Sequence, residues 1–397
     1  MKNQEKFDDL LTRGVAEVID KNNLQKKLAA GKKLRVKLGI DPTGFDLHIG
    51  HAAPLLKLKA FQDLGHQVVL IIGDYTARIG DPSGRDKTRP PLTEEQTEKF
   101  GEDYFKQACL ILDKNKTEVR WQSEWFEDFD LQTIINLTSK VTLAQLLSHE
   151  TFSKRLKQGL PLSAHEILYP FLQGYDSVAV RADIEIGGIE QKFNLLMGRT
   201  VQAAFNLPSQ DIMTLNYVMG MDGRKMSKTF NNYIALKDKA KEMFGKTMSI
   251  PDKLILPYFE SATELPWQEI TEIKKSLGEG LNPREVKARL AREITLLYHG
   301  VKEVTEAENE FNQVFKNKEL PSDIPSYVAE QVFEHYNPKL LVDTNMVSSM
   351  SAARRAFEQG AVRINNEKIK DWKKPVKIKD NDILRVGKRK FIRIRKR

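Results

Sequence analysis

The sequence predicts an α/β protein: a parallel-sheet domain first, an all-helical stretch next, and a small basic α+β module last. Three observations carry this. Two apolar runs, LRVKLG at 34–39 and QVVLIIGD at 67–74, flank a helix-like stretch, which makes a βαβ unit with a right-handed crossover. Residues 235–336 read as helices with no clear strand signal. From Met346 onward the chain holds 17 Lys/Arg against 5 Asp/Glu, a charge of +12; the whole chain carries +9, so residues 1–345 sum to −3. Such asymmetry points to a polyanion partner, nucleic acid above all.

Taken in order, residues 5–29 read as one helix, with apolar spacing at Phe7, Leu10, Leu11 and Val15. The first strand feeds a turn-rich loop that enters a helix running through Pro54 to Gln62. At the junction stand His48, Ile49, Gly50 and His51. The first N–H groups of such a helix are unpaired and point at one spot, where the dipole adds positive charge, so an anion, most often phosphate, is the natural occupant. Gly50, without a Cβ, would let a flat ring or ribose lie against the backbone. Both imidazoles can donate to phosphate oxygens; a strand–turn–helix with ordinary helix-start histidines is the other reading.

After the second strand comes TARIGDPSGRDKTRPPL at 76–92, an irregular cationic loop with Arg78, Arg85, Lys87 and Arg89. Ligands of open α/β sheets bind outside the carboxyl ends of the strands, which is where this loop lies. Residues 93–150 read as mostly helical, with a strand-like TEVRW at 117–121. A helix over 163–175 puts Tyr169, Gln173 and Asp176 on one face, spaced four then three. An aromatic, an amide and a carboxylate together can hold an ammonium group or a phenol hydroxyl; a buried trio kept for stability is the other reading. A short strand and glycine turn follow within 176–188, a helix from Glu190 to Arg199, and a strand-like run at 211–218. The loop at 221–233 bears Lys225 and Lys228, which could swing onto phosphates, although most K-x-x-K pairs are solvated surface. Asn282 as N-cap, Pro283 in the first turn and Gly300 as stop delimit the clearest later helix. A composition break near 337–345 precedes a helix from Ser348 and short alternating runs. Arg354 and Arg355 lie on that helix, placed to grip a phosphate backbone.

Composition narrows the class. No segment has the apolar length of a membrane span, and the N-terminus is polar, without a signal core. The single cysteine, Cys109, forbids an internal disulfide framework and suits a reducing cytosol. No Cys/His cluster suggests structural zinc, and no dedicated metal site is visible.

HIGH at 48–51 and KMSKT at 225–229, in that order around a βαβ core, resemble the paired signatures of class I aminoacyl-tRNA synthetases. DPTGFDLHIGH, IGDPSGR, YPFLQGYDSVAV and IGGIEQ resemble the bacterial tyrosyl-tRNA synthetases, and VSSMSAARRAFEQGAVRINNEKI resembles an S4 RNA-binding module. The likeness spans essentially the whole chain. It implies a Rossmann-like catalytic domain at 1–234, a helical anticodon-binding domain at 235–336 and an S4-like domain at 337–397. It implies an enzyme that activates L-tyrosine with ATP and transfers it to tRNA(Tyr), with Mg2+ on the phosphates, acting as a homodimer in the cytoplasm.

Residue by residue, the resemblance implies that Asp81, Tyr169 and Gln173 surround the substrate ammonium, Asp176 accepts the phenol hydroxyl, and Gln191 lies near the carboxylate. Asp41, Thr43, His48, Gly50 and His51 would line the ATP side, with Gly188 and Glu190 near the ribose. Lys225, Lys228 and Thr229 would hold pyrophosphate, assisted by Arg85 and Arg89. Two positions depart from the pattern. Lys37 stands where one branch of the family has a tyrosine that helps read the phenol. Glu190 stands for the usual aspartate, one methylene longer. The connection between the halves of the site is helical and too short for a separate hydrolytic domain. A tryptophanyl enzyme, a small-molecule nucleotidyltransferase and a non-catalytic RNA-binding protein on the same scaffold are the competing readings at this level.

Overall fold

The computed structural model describes residues 2–44, 46–83, 92–227, 230–316, 324–329, 338–365, 367–369, 378–387 and 390–396. The chain forms two compact units, Met1–Val304 and Thr305–Arg397.

The first unit is built on a six-stranded sheet of β1 (Val15–Ile19), β2 (Arg35–Ile40), β3 (Gln67–Ile72), β4 (Thr117–Trp121), β5 (Ile184–Gly188) and β6 (Asp211–Leu215), in the order β1-β6-β5-β2-β3-β4. All neighbours are parallel except β1, which runs antiparallel to β6. The predicted βαβ unit is β2, helix Ile49–Asp63 and β3, paired in full register from Arg35↔Gln67 to Ile40↔Ile72. Strand order reverses between β2 and β5, so their carboxyl ends open the crevice where α/β sheets bind ligands.

One sheet face packs Val36, Leu38, Leu70 and Met213 against Leu55 and Phe61, and the same core continues into Ile255, Tyr258, Leu290 and Ile294. The helices between 240 and 296 thus bury their apolar stripes on the body of the sheet. The opposite face packs Val69 and Ile71 against Trp125, Phe126, Leu172 and Val180. Asn282 caps helix Pro283–Leu296 as predicted, accepting from the Arg284 amide at 3.0 Å.

Thr76–Ile79 is a helical turn in the expected loop, and the helix read over 163–175 is a 3-10 turn, Ala164–Leu168, followed by helix Tyr169–Ala179; two further segments differ more from the sequence reading. Residues 5–29 are not one helix: Lys2–Thr12 and Lys21–Ala29 are helices on either side of β1. Gly14 at φ 67° and Asp20 at φ 62° take left-handed turns, and the β-branched Val15, Val18 and Ile19 pair along β6. Val15 fits a helix face in the sequence but belongs to the strand. Within 235–336, Ser326–Ala329 is also a strand, β7, too short to show alternation.

The second unit carries a five-stranded sheet, β7-β11-β10-β8-β9, from β7, β8 (Val362–Ile364), β9 (Glu367–Lys368), β10 (Ile383–Val386) and β11 (Lys390–Lys396). Leu340, Leu341, Phe357, Val362, Leu384 and Ile394 form its core. Helix Met350–Glu358, capped by Ser349, leaves Arg354 and Arg355 exposed. No helix among the described residues is long and apolar enough to cross a membrane.

Candidate active site

Asp41, Asp81 and Gly188, singled out from the sequence, gather with Thr76 and Gln122 at the carboxyl ends of the parallel strands. Asp41 follows β2, Thr76 and Asp81 follow β3, Gln122 follows β4, and Gly188 closes β5. A hydrogen-bonded chain joins them. The Tyr169 hydroxyl donates to Asp41 Oδ2 at 2.9 Å, and the Thr76 hydroxyl donates to Asp41 Oδ1 at 2.6 Å. The Thr76 amide donates to Gln122 Oε1 at 2.9 Å, and Gln122 Nε2 donates to Asp176 Oδ2 at 2.8 Å. Gly73 is required at this turn, since a Cβ there would lie 2.3 Å from Asp41 Oδ1. Tyr169 and Asp176, on one helix face, are therefore tied together a second time through the strand ends.

Asp176 is 2% exposed, and its Oδ1 has no hydrogen-bond partner. Burial pushes its carboxyl up to about 8, against the pull of the Lys37 ammonium and of the Gln122 hydrogen bond. A buried carboxyl with one unpartnered oxygen is a site for a hydroxyl, which can both donate and accept. Gln173 Oε1 is likewise buried and unpartnered, while Gln173 Nε2 donates to Glu185 Oε1 at 3.2 Å. Asp81 accepts from Gln191 Nε2 at 2.7 Å and from the Ser83 amide at 2.9 Å, so two of the expected substrate contacts brace each other. The Lys37 ammonium is turned to Ser177 Oγ, the Gln173 carbonyl and Glu185.

At the helix start the structure corrects one expectation. The first N–H groups are not open. The Ile49 amide donates to the Ile234 carbonyl at 3.0 Å, the Gly50 amide to His48 Nδ1 at 3.1 Å, and the His51 amide to the His48 carbonyl at 2.7 Å. The local reason is a reciprocal cap: His51 Nδ1 in turn accepts from the His48 amide at 3.2 Å, and the two rings stack with centroids 3.9 Å apart. With Nδ1 accepting in both, a neutral imidazole at either position carries its proton on Nε2. Gly50 makes this possible, because a Cβ would lie 2.9 Å from His48 Cε1. The space the glycine opens is thus taken up by a protein ring.

The second motif is stitched to the first. His48 bridges Ala235, and the Leu236 amide donates to the Leu47 carbonyl at 3.0 Å. Asn232 organises the loop, accepting from the Ser227 amide at 2.8 Å and donating to Asp222 at 2.7 Å. Lys225 Nζ lies 3.3 Å from Glu190 Oε1 and 4.5 Å above the Tyr217 ring. Burial and the Glu190 carboxylate push the Tyr217 phenol up to about 12. A Cβ on Gly188 would fall 2.3 Å from Glu190 Oε2, so the longer acid folds back over the strand end. Thr43 lies exposed on the loop after β2. Lys228, Thr229, Arg85 and Arg89 lie outside the described residues.

Sequence reasoning missed Thr76, Gln122, Ser177, Glu185 and Gln210. Gln122 had a signal, since it immediately follows the apolar TEVRW strand, where the sheet binds its ligand. Ser177 and Glu185 carried none beyond their strand and helix positions.

A family model described as tRNA synthetases class I (W and Y) matches residues 29–316, and one described as the tyrosine–tRNA ligase SYY-like C-terminal domain matches residues 316–394. The tyrosine–tRNA ligase of Moorella thermoacetica is 44% identical over 391 residues, covering 97% of this chain and 94% of its own length. That of Thermotoga maritima is 46% identical over 387 residues, covering 97% and 96%. Tyrosyl-tRNA synthetase from Archaeoglobus fulgidus, solved with L-tyrosine, superposes with a TM-score of 0.63 at 21% identity, covering 78% of this chain and 100% of that one. A tryptophanyl-tRNA synthetase from Plasmodium falciparum reaches 0.58 at 15% identity, covering 77% and 89%. Likeness at that identity speaks for the fold. The full-length relatives and the C-terminal match speak for more, and the sequence, the strand-end site and these matches agree: the chain belongs to the tyrosine–tRNA ligase family of class I tRNA synthetases.

Proposed function

We propose that the protein joins L-tyrosine to tRNA(Tyr) in two steps, the reaction its family catalyses. The observation that carries the reading is Asp176: a buried carboxyl group with one unpartnered oxygen, tied through Gln122, Thr76 and Asp41 to the loop that leads into HIGH. A phenol hydroxyl donating to Oδ1 would complete it. Asp81, Tyr169, Gln173 and Gln191 then take the amino and carboxyl ends, with Lys37 behind them. Asp41, Thr43, His48, Gly50 and His51 line the ATP, and Gly188 and Glu190 the ribose.

The tyrosine carboxylate is already ionised, so its attack on the α-phosphate needs no general base. Catalysis comes from in-line positioning and from donors matched to the charge developing on phosphate. His48 and His51 supply Nε2–H groups; Lys225, Lys228, Thr229, Arg85 and Arg89 receive the leaving pyrophosphate. Mg2+ enters on the phosphates as part of the ATP substrate. A terminal ribose hydroxyl of the tRNA then attacks the activated carbonyl and releases AMP.

By role, the chain divides into a catalytic part at 1–234, a helical anticodon-binding part at 235–336 and an S4-like part at 337–397 whose Arg354 and Arg355 meet phosphates. The protein acts in the cytoplasm as a homodimer. Leu131 at 75% and Ile135 at 51% exposure, four apart on the helix Leu131–Thr138, leave an apolar stripe suited to a second copy. Charging of a tRNA(Tyr) transcript with labelled tyrosine tests the reading. Full-length protein is expected to charge it, and protein lacking 338–397 to form adenylate without charging. Equal charging by both would remove the role given to the last part.

A further inference from the structure

Lys37 and Glu185 are Cα partners across the parallel pairing of β2 and β5. Both side chains are buried, at 0% and 1% exposure, with ammonium and carboxylate 3.1 Å apart. Each also reaches the helix Tyr169–Ala179. Lys37 Nζ donates to Ser177 Oγ at 2.7 Å and to the Gln173 carbonyl at 3.1 Å. Glu185 accepts from Gln173 Nε2 at 3.2 Å, from Ser177 Oγ at 3.2 Å and from Gln210 Nε2 at 2.5 Å. Gly198 leaves the room, since a Cβ there would sit 2.5 Å from Gln210 Nε2 and 3.0 Å from Ser177 Oγ. A buried ion pair is weak as a source of stability, because desolvating both charges offsets most of their attraction. What this one supplies is geometry. Its contacts fall on Gln173 and Ser177, one turn apart, on either side of the Asp176 that the proposed function assigns to the phenol.

We propose that the Lys37–Glu185 pair is the positioning device for tyrosine selection. It clamps the helix at Gln173 and Ser177, so that Gln173 and Asp176 meet the two ends of the substrate in fixed register. Lys37, at the position where a phenol-reading tyrosine stands in one branch of the family, acts on the hydroxyl through the helix without touching it. Glu185 becomes a specificity residue although it lies behind the site. This inference rests on the tyrosine-activating reading above.

Two variants test it by tyrosine- and phenylalanine-dependent exchange of pyrophosphate into ATP. Lys37→Met/Glu185→Leu removes both charges together, which leaves no stranded buried ion. Ser177→Ala removes the hydroxyl shared by both partners and changes no charge. The double variant is expected to raise the tyrosine KM and to lower the tyrosine-to-phenylalanine ratio of kcat/KM, each about tenfold, with the KM for ATP unchanged. Ser177→Ala is expected to move both the same way by about threefold. A wild-type tyrosine KM and ratio in the folded double variant overturns the proposal. So does a KM for ATP that rises in step with that for tyrosine, the mark of a merely structural role. Should the double variant fail to fold, Ser177→Ala decides, and a wild-type ratio there overturns the proposal. Absence of tyrosine-dependent exchange in the wild type would instead refute the functional reading on which the inference rests.

Discussion

Asp176→Ala removes the buried group to which the proposed function assigns the phenol hydroxyl. Its Oδ1 is buried and unpartnered, and its Oδ2 takes a 2.8 Å hydrogen bond from Gln122. In the proposed function tyrosine fills the open position on Oδ1. Phenylalanine brings a C–H there and leaves a buried acceptor unmet. Below about pH 8 the folded chain holds this carboxyl neutral, so the hydrogen bond is worth about 0.5–1.5 kcal/mol and leaving the buried group unmet costs about 1–3 kcal/mol, which favours tyrosine by roughly 5- to 150-fold in kcat/KM. Alanine removes that difference. It also strands the Gln122 amide, but that loss weighs on both substrates alike and cancels in the ratio. The assay is pyrophosphate exchange with each amino acid, read as the ratio of the two kcat/KM values. The ratio is expected to fall by roughly one to two orders of magnitude. A ratio within about threefold of wild type would refute the assignment, because less than about 1 kcal/mol would then pass through Asp176.

Asp176 also makes stability depend on pH. Its carboxyl sits at about 8 in the folded chain against an ordinary 3.8, with Lys37, Glu185, Asp41 and Gln122 facing it. The folded state therefore holds the proton through that window, and the contribution to stability is full below about 4 and is lost as pH rises to about 8. Relative to Asp176→Asn, wild-type Tm should decline between pH 5 and 8, and parallel melting curves would contradict this. Lys57 has the opposite sign. Burial, then the Arg13 guanidinium, push it down to about 7 while its Nζ donates to the Leu10 and Arg13 carbonyls at 2.8 Å. The folded state sheds that proton first, so wild-type Tm should rise relative to Lys57→Met from pH 7 toward 10, and a flat difference would remove the claim. Arg354→Ala with Arg355→Ala should weaken tRNA charging, reduce the salt dependence of tRNA binding by about one phosphate contact each, and leave pyrophosphate exchange untouched. Loss of exchange would show that these arginines act on something other than RNA.

Much of this architecture was legible because apolar period and turn chemistry agree locally. The run of β3 and the capped helix at Asn282 are cases where propensity, pattern and packing coincide. Val15–Ile19 was not legible, because its strand identity comes from a partner nearly two hundred residues away, β6, and its apolar spacing also suits a helix. Ser326–Ala329 was hidden for the same reason, its partner being β11. In the site, the Tyr169, Gln173 and Asp176 face followed from helical spacing alone. The reciprocal cap of His48 and His51 did not, since a histidine can accept at Nδ1 or donate from it, and only the backbone geometry decides. Lys37 was visible only as a departure from the family the sequence resembles. Its partner Glu185 is set by strand register, which no single-strand pattern contains.

The central claim is that this strand-end site activates tyrosine. Tyrosine-dependent exchange of labelled pyrophosphate into ATP, with phenylalanine and tryptophan as controls, tests it most directly. The account predicts exchange with tyrosine alone. Exchange with no amino acid, in folded protein that still binds tRNA, would contradict it and leave an RNA-binding protein on a synthetase scaffold.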